Sequence, residues 1–137
     1  MRVNEYTPVI KEIKPINFLF QRSERKLNEL VDLAPVAQEL YQEALRLGLS
    51  VTGPLHWHYI GYEDESKPFT LEISLPVAQV PGNYDGRYHF KRTELFKSVS
   101  VEHDGDWGGL KSSYDKLTVF IKQNGLQPVP ITREVYI

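Results

Sequence analysis

Two short stretches carry the residue types that do chemistry, His56-Trp57-His58-Tyr59 and Arg133-Glu134-Val135-Tyr136. Along an extended chain side chains alternate between faces. His56 and His58 therefore share one face, and Trp57 and Tyr59 the other. Imidazoles at i and i+2 can chelate a metal, or one can hydrogen-bond while the other is solvated. In the closing segment "ITREVY", Thr132, Glu134 and Tyr136 share a face, and Ile131, Arg133 and Val135 share the opposite one. A carboxylate set between a hydroxyl and a phenol costs several kcal/mol to bury unless it is paired or protonated. Glu134 is thus either an exposed edge-strand carboxylate beside a lysine or a group that lines a pocket, and composition alone leaves both readings open.

The histidine pair continues as H-x-H-x4-E to Glu63, a spacing that resembles the first metal motif of cupins. The glycines that flank that motif are replaced by Ser50 and Thr70, and the downstream Pro-x-Gly motif with its histidine is missing. No metal and no other cofactor is expected. The serines of "SVS" and "KSSYDK" sit in no G-x-S-x-G elbow. "DGDWGGL" has neither a P-loop nor a dinucleotide fingerprint and reads as a strand-to-helix turn. The acidic clusters Glu63–Glu65 and Asp104–Asp106 read as solvated loops.

These residues have to be positioned by regular elements. Residues 9–22 are extended and interrupted at Pro15. Leu33, Val36, Ala37, Leu40, Tyr41, Ala44 and Leu45 follow the 3–4 spacing of an amphipathic helix. That spacing predicts a helix over 33–47, with Asp32 as its cap, Pro35 in its first turn and Gly48 as its stop. "PLHWHYIGYE" and "FTLEISLPV" read as strands, "AQVPGNYDG" as a loop, and "RYHFKRTELFKSVSVEH" as extended again. Leu110, Tyr114, Leu117, Phe120 and Ile121 predict a second helix over 110–124, stopped by Gly125, and the last strand covers 131–136. An offset of 125 − 48 = 77 aligns the two Gly-Leu stops and pairs Leu40 with Leu117. After the stops, Pro54 and Pro130 pair at 130 − 54 = 76, which sets His58 against Glu134. The reading is an α+β fold of duplicated β-α-β-β units, an antiparallel sheet with two helices and a central cleft. It makes one domain over 1–137, with pseudo-repeats of approximately 8–78 and 87–137.

Bulk properties narrow the function classes. With 137 residues the chain can bury a core without staples, and it has no cysteine for disulfide or thiol chemistry. A net charge of −2 with no basic face gives no nucleic-acid footprint, so direct nucleic-acid binding is not expected. The polar N-terminus lacks the apolar core of a signal peptide, and no run approaches a membrane span. A soluble cytoplasmic protein, with no membrane partner, is the expectation. A protein partner or a homodimer is left open.

The second half, "VSVEHDGDWGGLKSSYDKLTVFIKQNGLQPVPITREVYI", resembles the closing half of the GyrI-like family, which is also the effector-binding domain of AraC- and MerR-type multidrug regulators. The carrying elements are His103, Gly105, Trp107, Tyr114, Gly125-Leu126, Pro130, Arg133, Glu134 and Tyr136. The first half looks like a weaker first repeat, and its "RSERKLNEL" lacks the usual turn. The resemblance implies a cleft between the helices. Glu134 would lie at its bottom, facing an amphipathic, cationic or aromatic small molecule. Tyr136, Trp57, Tyr59, Trp107 and Tyr114 are candidates for its aromatic walls, with His58 beside them. It implies sensing, sequestration or regulation by a domain that starts at Met1 and so has no helix-turn-helix of its own. Some stand-alone relatives are hydrolases and others inhibit gyrase. No catalytic residue is assigned here; as a hydrolase, the chain would use Glu134 and Tyr114. A metal-dependent enzyme built on His56 and His58 is the remaining reading.

Overall fold

The computed structural model describes residues 7–104 and 107–136, except for the side chain of Trp107. The elements in chain order are β1 (Val9–Ile13), β2 (Asn17–Arg25), α1 (Val36–Arg46), β3 (Leu55–Ile60), β4 (Phe69–Val77), β5 (His89–Arg92), β6 (Phe96–Ser100), α2 (Leu110–Gln123) and β7 (Ile131–Tyr136). All strand pairs are antiparallel, in a five-stranded sheet ordered β5-β2-β4-β3-β7 and a two-stranded sheet β1-β6. The fold class is α+β, as expected. The described residues of Met1–Lys14 and Leu95–Val129 form one unit, those of Pro15–Glu94 and Pro130–Ile137 the other.

In the larger unit, β4 alternates Phe69, Leu71, Ile73, Leu75 and Val77 against Thr70, Glu72, Ser74 and Pro76. The apolar set meets Leu33, Val36, Leu40 and Ala44 from α1 and the turn before it, and together they form the core. The period of two on the strand and the 3–4 spacing on the helix thus bury one shared face. Thr70 apart, every residue of β4 is buried, so its polar set is enclosed as well.

In the smaller unit, β1 pairs with β6 from Val9↔Ser100 to Ile13↔Phe96. Its helix, α2, is preceded by a 3-10 turn at Trp107–Gly109.

The sequence expectation differs at the start of α1. Residues Leu27–Glu29 and Val31–Leu33 form 3-10 turns, and the helix begins at Val36. Asp32 does not cap it. Its carboxylate instead accepts two hydrogen bonds from Arg25, both 3.0 Å, and Pro35 is the N-cap with no side-chain cap bond. The extended stretch before α2 also resolves into two strands, β5 and β6, broken at 93–95.

Both helices stop in the same way. Gly48 and Gly125 have φ of 70° and 62°. Gly48 N–H donates to the Leu45 carbonyl and Leu49 N–H to that of Ala44; Gly125 and Leu126 repeat this with Lys122 and Ile121. These are two Schellman motifs, and they explain the repeated Gly-Leu pair in the sequence. Gly48→Ala and Gly125→Ala should each destabilise the protein by about 1 kcal/mol, the cost of a Cβ in the left-handed region. Gly82→Ala, with open space around its Cβ, should cost less than about 0.5 kcal/mol. Urea denaturation of the three variants checks the contrast.

Candidate functional site

β3 and β7 pair antiparallel with Trp57 opposite Glu134, Tyr59 opposite Thr132 and Leu55 opposite Tyr136. Cross-strand partners project to the same face. Trp57, Tyr59, Glu134 and Tyr136 therefore stand together, beside Ile73 and Leu71 of β4. Trp57 and Tyr59 are half-buried and pack against the core. Glu134 Oε1 accepts a hydrogen bond from the Tyr59 hydroxyl at 3.0 Å and a second from the Tyr136 hydroxyl.

An aromatic run surrounds this carboxylate. Tyr136 meets Trp57 edge-on at 6.0 Å between centroids, and Trp57 lies 6.5 Å from Tyr59. Tyr59 stacks on Phe69 at 5.6 Å, and Phe69 meets Tyr62 at 5.5 Å. Burial, then the neighbouring Glu134, pushes the Tyr59 phenol above its ordinary pKa; burial, then its bond to Glu134, does the same to Tyr136. Both phenols therefore remain protonated donors at neutral pH. The arrangement is a half-buried carboxylate held by two hydroxyls and flanked by π-faces. It suits a ligand with positive charge or N–H donors on an aromatic or apolar body.

No protein-family model and no curated protein sequence matches the chain. Solved structures do. EcmrR in its DNA complex superposes with a TM-score of 0.78 at 24% identity, over 96% of this chain and 50% of that one. The separate EcmrR C-terminal domain gives 0.79 at 24% identity, over 96% of this chain and 84% of that one. The chain has the fold of the EcmrR C-terminal domain. It spans half the length of EcmrR as seen in the DNA complex. SAV2435 bound to tetraphenylphosphonium gives a TM-score of 0.58 at 12% identity, over 96% of this chain and 82% of that one. The EcmrR fold is the one that the GyrI-like resemblance implies.

The remaining candidates fall elsewhere on this EcmrR-like fold. His58 lies on the face of β3 opposite Glu134, where it pairs with Arg133 and Glu72 across the sheet. Tyr114 is half-buried on α2 in the smaller unit. Gly105 and the Trp107 side chain lie outside the described residues. In the smaller unit His103 Nδ1 and Ser113 Oγ are 2.9 Å apart. Two surface concavities occur there, of about 280 Å³ beside Thr7, Lys11 and Glu102 and about 470 Å³ beside Ile121 and Leu126. Glu134 lines neither of them. Glu63 is bound to Lys67 at 2.9 Å, and no cluster of three metal-ligating side chains occurs among the described residues.

Sequence reasoning missed the groups around His58. His56 Nδ1 and His58 Nε2 are 3.1 Å apart, and Phe18 meets both rings edge-on at 4.9 and 5.0 Å. The neighbouring Glu72 is buried and bound by Arg22 and Lys91. The lone carboxylate in "FTLEISLPV" is the same kind of signal that marked Glu134.

Burial, helped by the charges of Arg133 and Lys91, lowers His56 to about 4; burial, then Lys91 and Arg133, lowers His58 to about 2. Below pH 6.5 the unfolded chain takes up protons that the folded pair refuses. Stability should therefore be level above about pH 6.5 and fall as pH drops towards 4, by up to about 1.4 kcal/mol per pH unit for each imidazole. Urea denaturation at pH 7.5, 6.0 and 5.0 measures this slope. His58→Gln should reduce it by about half, since one of the two groups is gone.

Proposed function

We propose that the larger unit binds an amphipathic organic cation at Glu134, as a sensing, sequestering or regulatory domain. The observation that carries this reading is the Glu134 carboxylate held by the Tyr59 and Tyr136 hydroxyls beside the Trp57 ring. An ion is costly to desolvate, and the two phenols offset part of that cost before any ligand arrives. The ligand then adds charge and π-contact. The tetraphenylphosphonium complex of a protein with the same fold supports this ligand class. The reading goes with a duplicated unit of approximately 8–78 and 87–137, for which the matched helix stops speak. By the 76-residue offset, Leu55–Ile60 also maps onto Ile131–Tyr136, which are β3 and β7.

A hydrolase at the same carboxylate is less favoured. The two phenols that touch Glu134 are pushed above their ordinary pKa, which makes them firm donors and poor proton-transfer acids near neutrality.

Glu134→Gln keeps the volume and removes the charge. It should weaken tetraphenylphosphonium by about tenfold or more, about 1.4 kcal/mol. Neutral triphenylphosphine oxide should be nearly unaffected. Isothermal titration of both compounds against both proteins reads the difference. Equal losses for the two would make Glu134 a structural residue and remove the basis for a cation site.

A further inference from the structure

The two helix stops share their Schellman bonds but differ in the residue before the glycine, Leu47 at the first and Asn124 at the second. Asn-Gly sets a side-chain amide beside an unhindered backbone nitrogen. A succinimide ring closes when that nitrogen reaches Cγ, and glycine puts no Cβ in the way. Asn124 and Gly125 are both exposed, so water and base reach them.

The fold holds this pair back without burying it. Asn124 is the C-cap of α2, with φ −103° and ψ 7°. At that ψ the Gly125 nitrogen eclipses the Asn124 nitrogen and points away from Cβ. Asn124 Nδ2 donates to the Phe120 carbonyl at 2.9 Å, and the Asn124 N–H meets the same carbonyl at 3.1 Å. Gly125 N–H donates to the Lys122 carbonyl at 3.3 Å, and Leu126 N–H to that of Ile121 at 3.1 Å. Helix ends fray, so turning the Asn124–Gly125 peptide breaks these last-turn bonds and leaves the rest of α2 in place.

We propose that Asn124 is a site of spontaneous deamidation whose product loosens the end of α2, a one-way timer in the smaller unit. When the last turn opens, the Gly125 nitrogen gives its proton to base and its lone pair forms a bond to Asn124 Cγ. The Cγ–Nδ2 bond breaks, and Nδ2 leaves with a proton as ammonia, so that a succinimide remains. Water then adds to one of the two ring carbonyls. Opening at Cγ gives aspartate. Opening at the backbone carbonyl gives isoaspartate, with the chain now running through Cγ. Water is consumed, and nothing is oxidised or reduced. Either product undoes the stop. A carboxylate cannot donate to the Phe120 carbonyl, and it adds negative charge at the negative end of the helix dipole. Isoaspartate also lengthens the main chain by one atom before residue 125, which displaces the Gly125 and Leu126 N–H groups from their acceptors. Lys122, Gly125 and Leu126 border the concavity of about 470 Å³, so its wall changes with them.

The test is incubation of the folded protein in mildly alkaline buffer, followed by tryptic peptide mapping that separates the asparagine, aspartate and isoaspartate forms. Asn124 should convert at least about tenfold faster than the exposed Asn28 and Asn83, a barrier lower by about 1.4 kcal/mol. Asn124→Gln, which keeps a neutral amide, should remove the early acidic species. In Asn124→Asp, hydrogen exchange at the Leu126 amide should speed up about fivefold, the loss of one hydrogen bond. Leu49, which holds the matching place at the first stop, should keep its wild-type rate. Conversion of Asn124 no faster than that of Asn28 and Asn83 would overturn the site, and unchanged exchange at Leu126 in Asn124→Asp would overturn the timer. Glu134, in the larger unit, enters neither readout, so both results are independent of the cation site.

Discussion

Trp57 stands opposite Glu134 in the β3–β7 ladder, and that register decides which groups meet. Because strand side chains alternate with a period of two, it places Trp57, Tyr59, Glu134 and Tyr136 on one face and His56, His58 and Arg133 on the other. A slip of one residue would bring the imidazoles to the carboxylate and leave the Tyr59 phenol with Arg133. Core packing forbids the slip. Trp57 and Tyr59 share their face with Ile73 and Leu71 of β4, which are fully buried with Leu40 of α1. The hydrophobic pattern therefore fixes which face of β3 meets Glu134, and the Tyr59–Glu134 hydrogen bond belongs to the same register.

Both faces of the sheet enclose ionisable groups, and each handles the cost differently. Around Glu134 the offset comes from neutral donors, the Tyr59 and Tyr136 phenols. Around Glu72 it comes from two cations, so that face carries a surplus positive charge beside imidazoles held neutral. Replacing a buried ion pair by apolar residues is often neutral or stabilising. A buried ion pair is therefore weak evidence of a gain in stability.

Much of this was legible in the sequence. The 3–4 spacing of Leu33 to Leu45 and of Leu110 to Ile121 found both helices, and the Gly-Leu stops found their ends. Alternation found the last strand at 131–136 and assigned Glu134 and Tyr136 to one face. The rest depended on long-range pairing that local pattern does not encode. Tyr59 and Glu134 are 75 residues apart, and Arg22 and Glu72 are 50 apart. Tyr59 was read as a π-wall, but its hydroxyl is what binds the carboxylate. The alternation of "HWHY" already put His58 on the face away from Trp57. Grouping it with the Glu134 ligand residues overlooked that geometry. Asp32 looked like a helix cap because its neighbours look helical, yet the 3-10 turn at 31–33 hands it to Arg25.

The account centres on a ligand engaging Glu134 through the phenols that hold it. The most direct measurement is NMR of protein carrying ¹³C at the tyrosine Cζ carbons, titrated with tetraphenylphosphonium. The account predicts that the Tyr59 and Tyr136 signals shift along a single saturable curve while that of the exposed Tyr41 moves little. Shifts absent from Tyr59 and Tyr136, or as large at Tyr41, would contradict it.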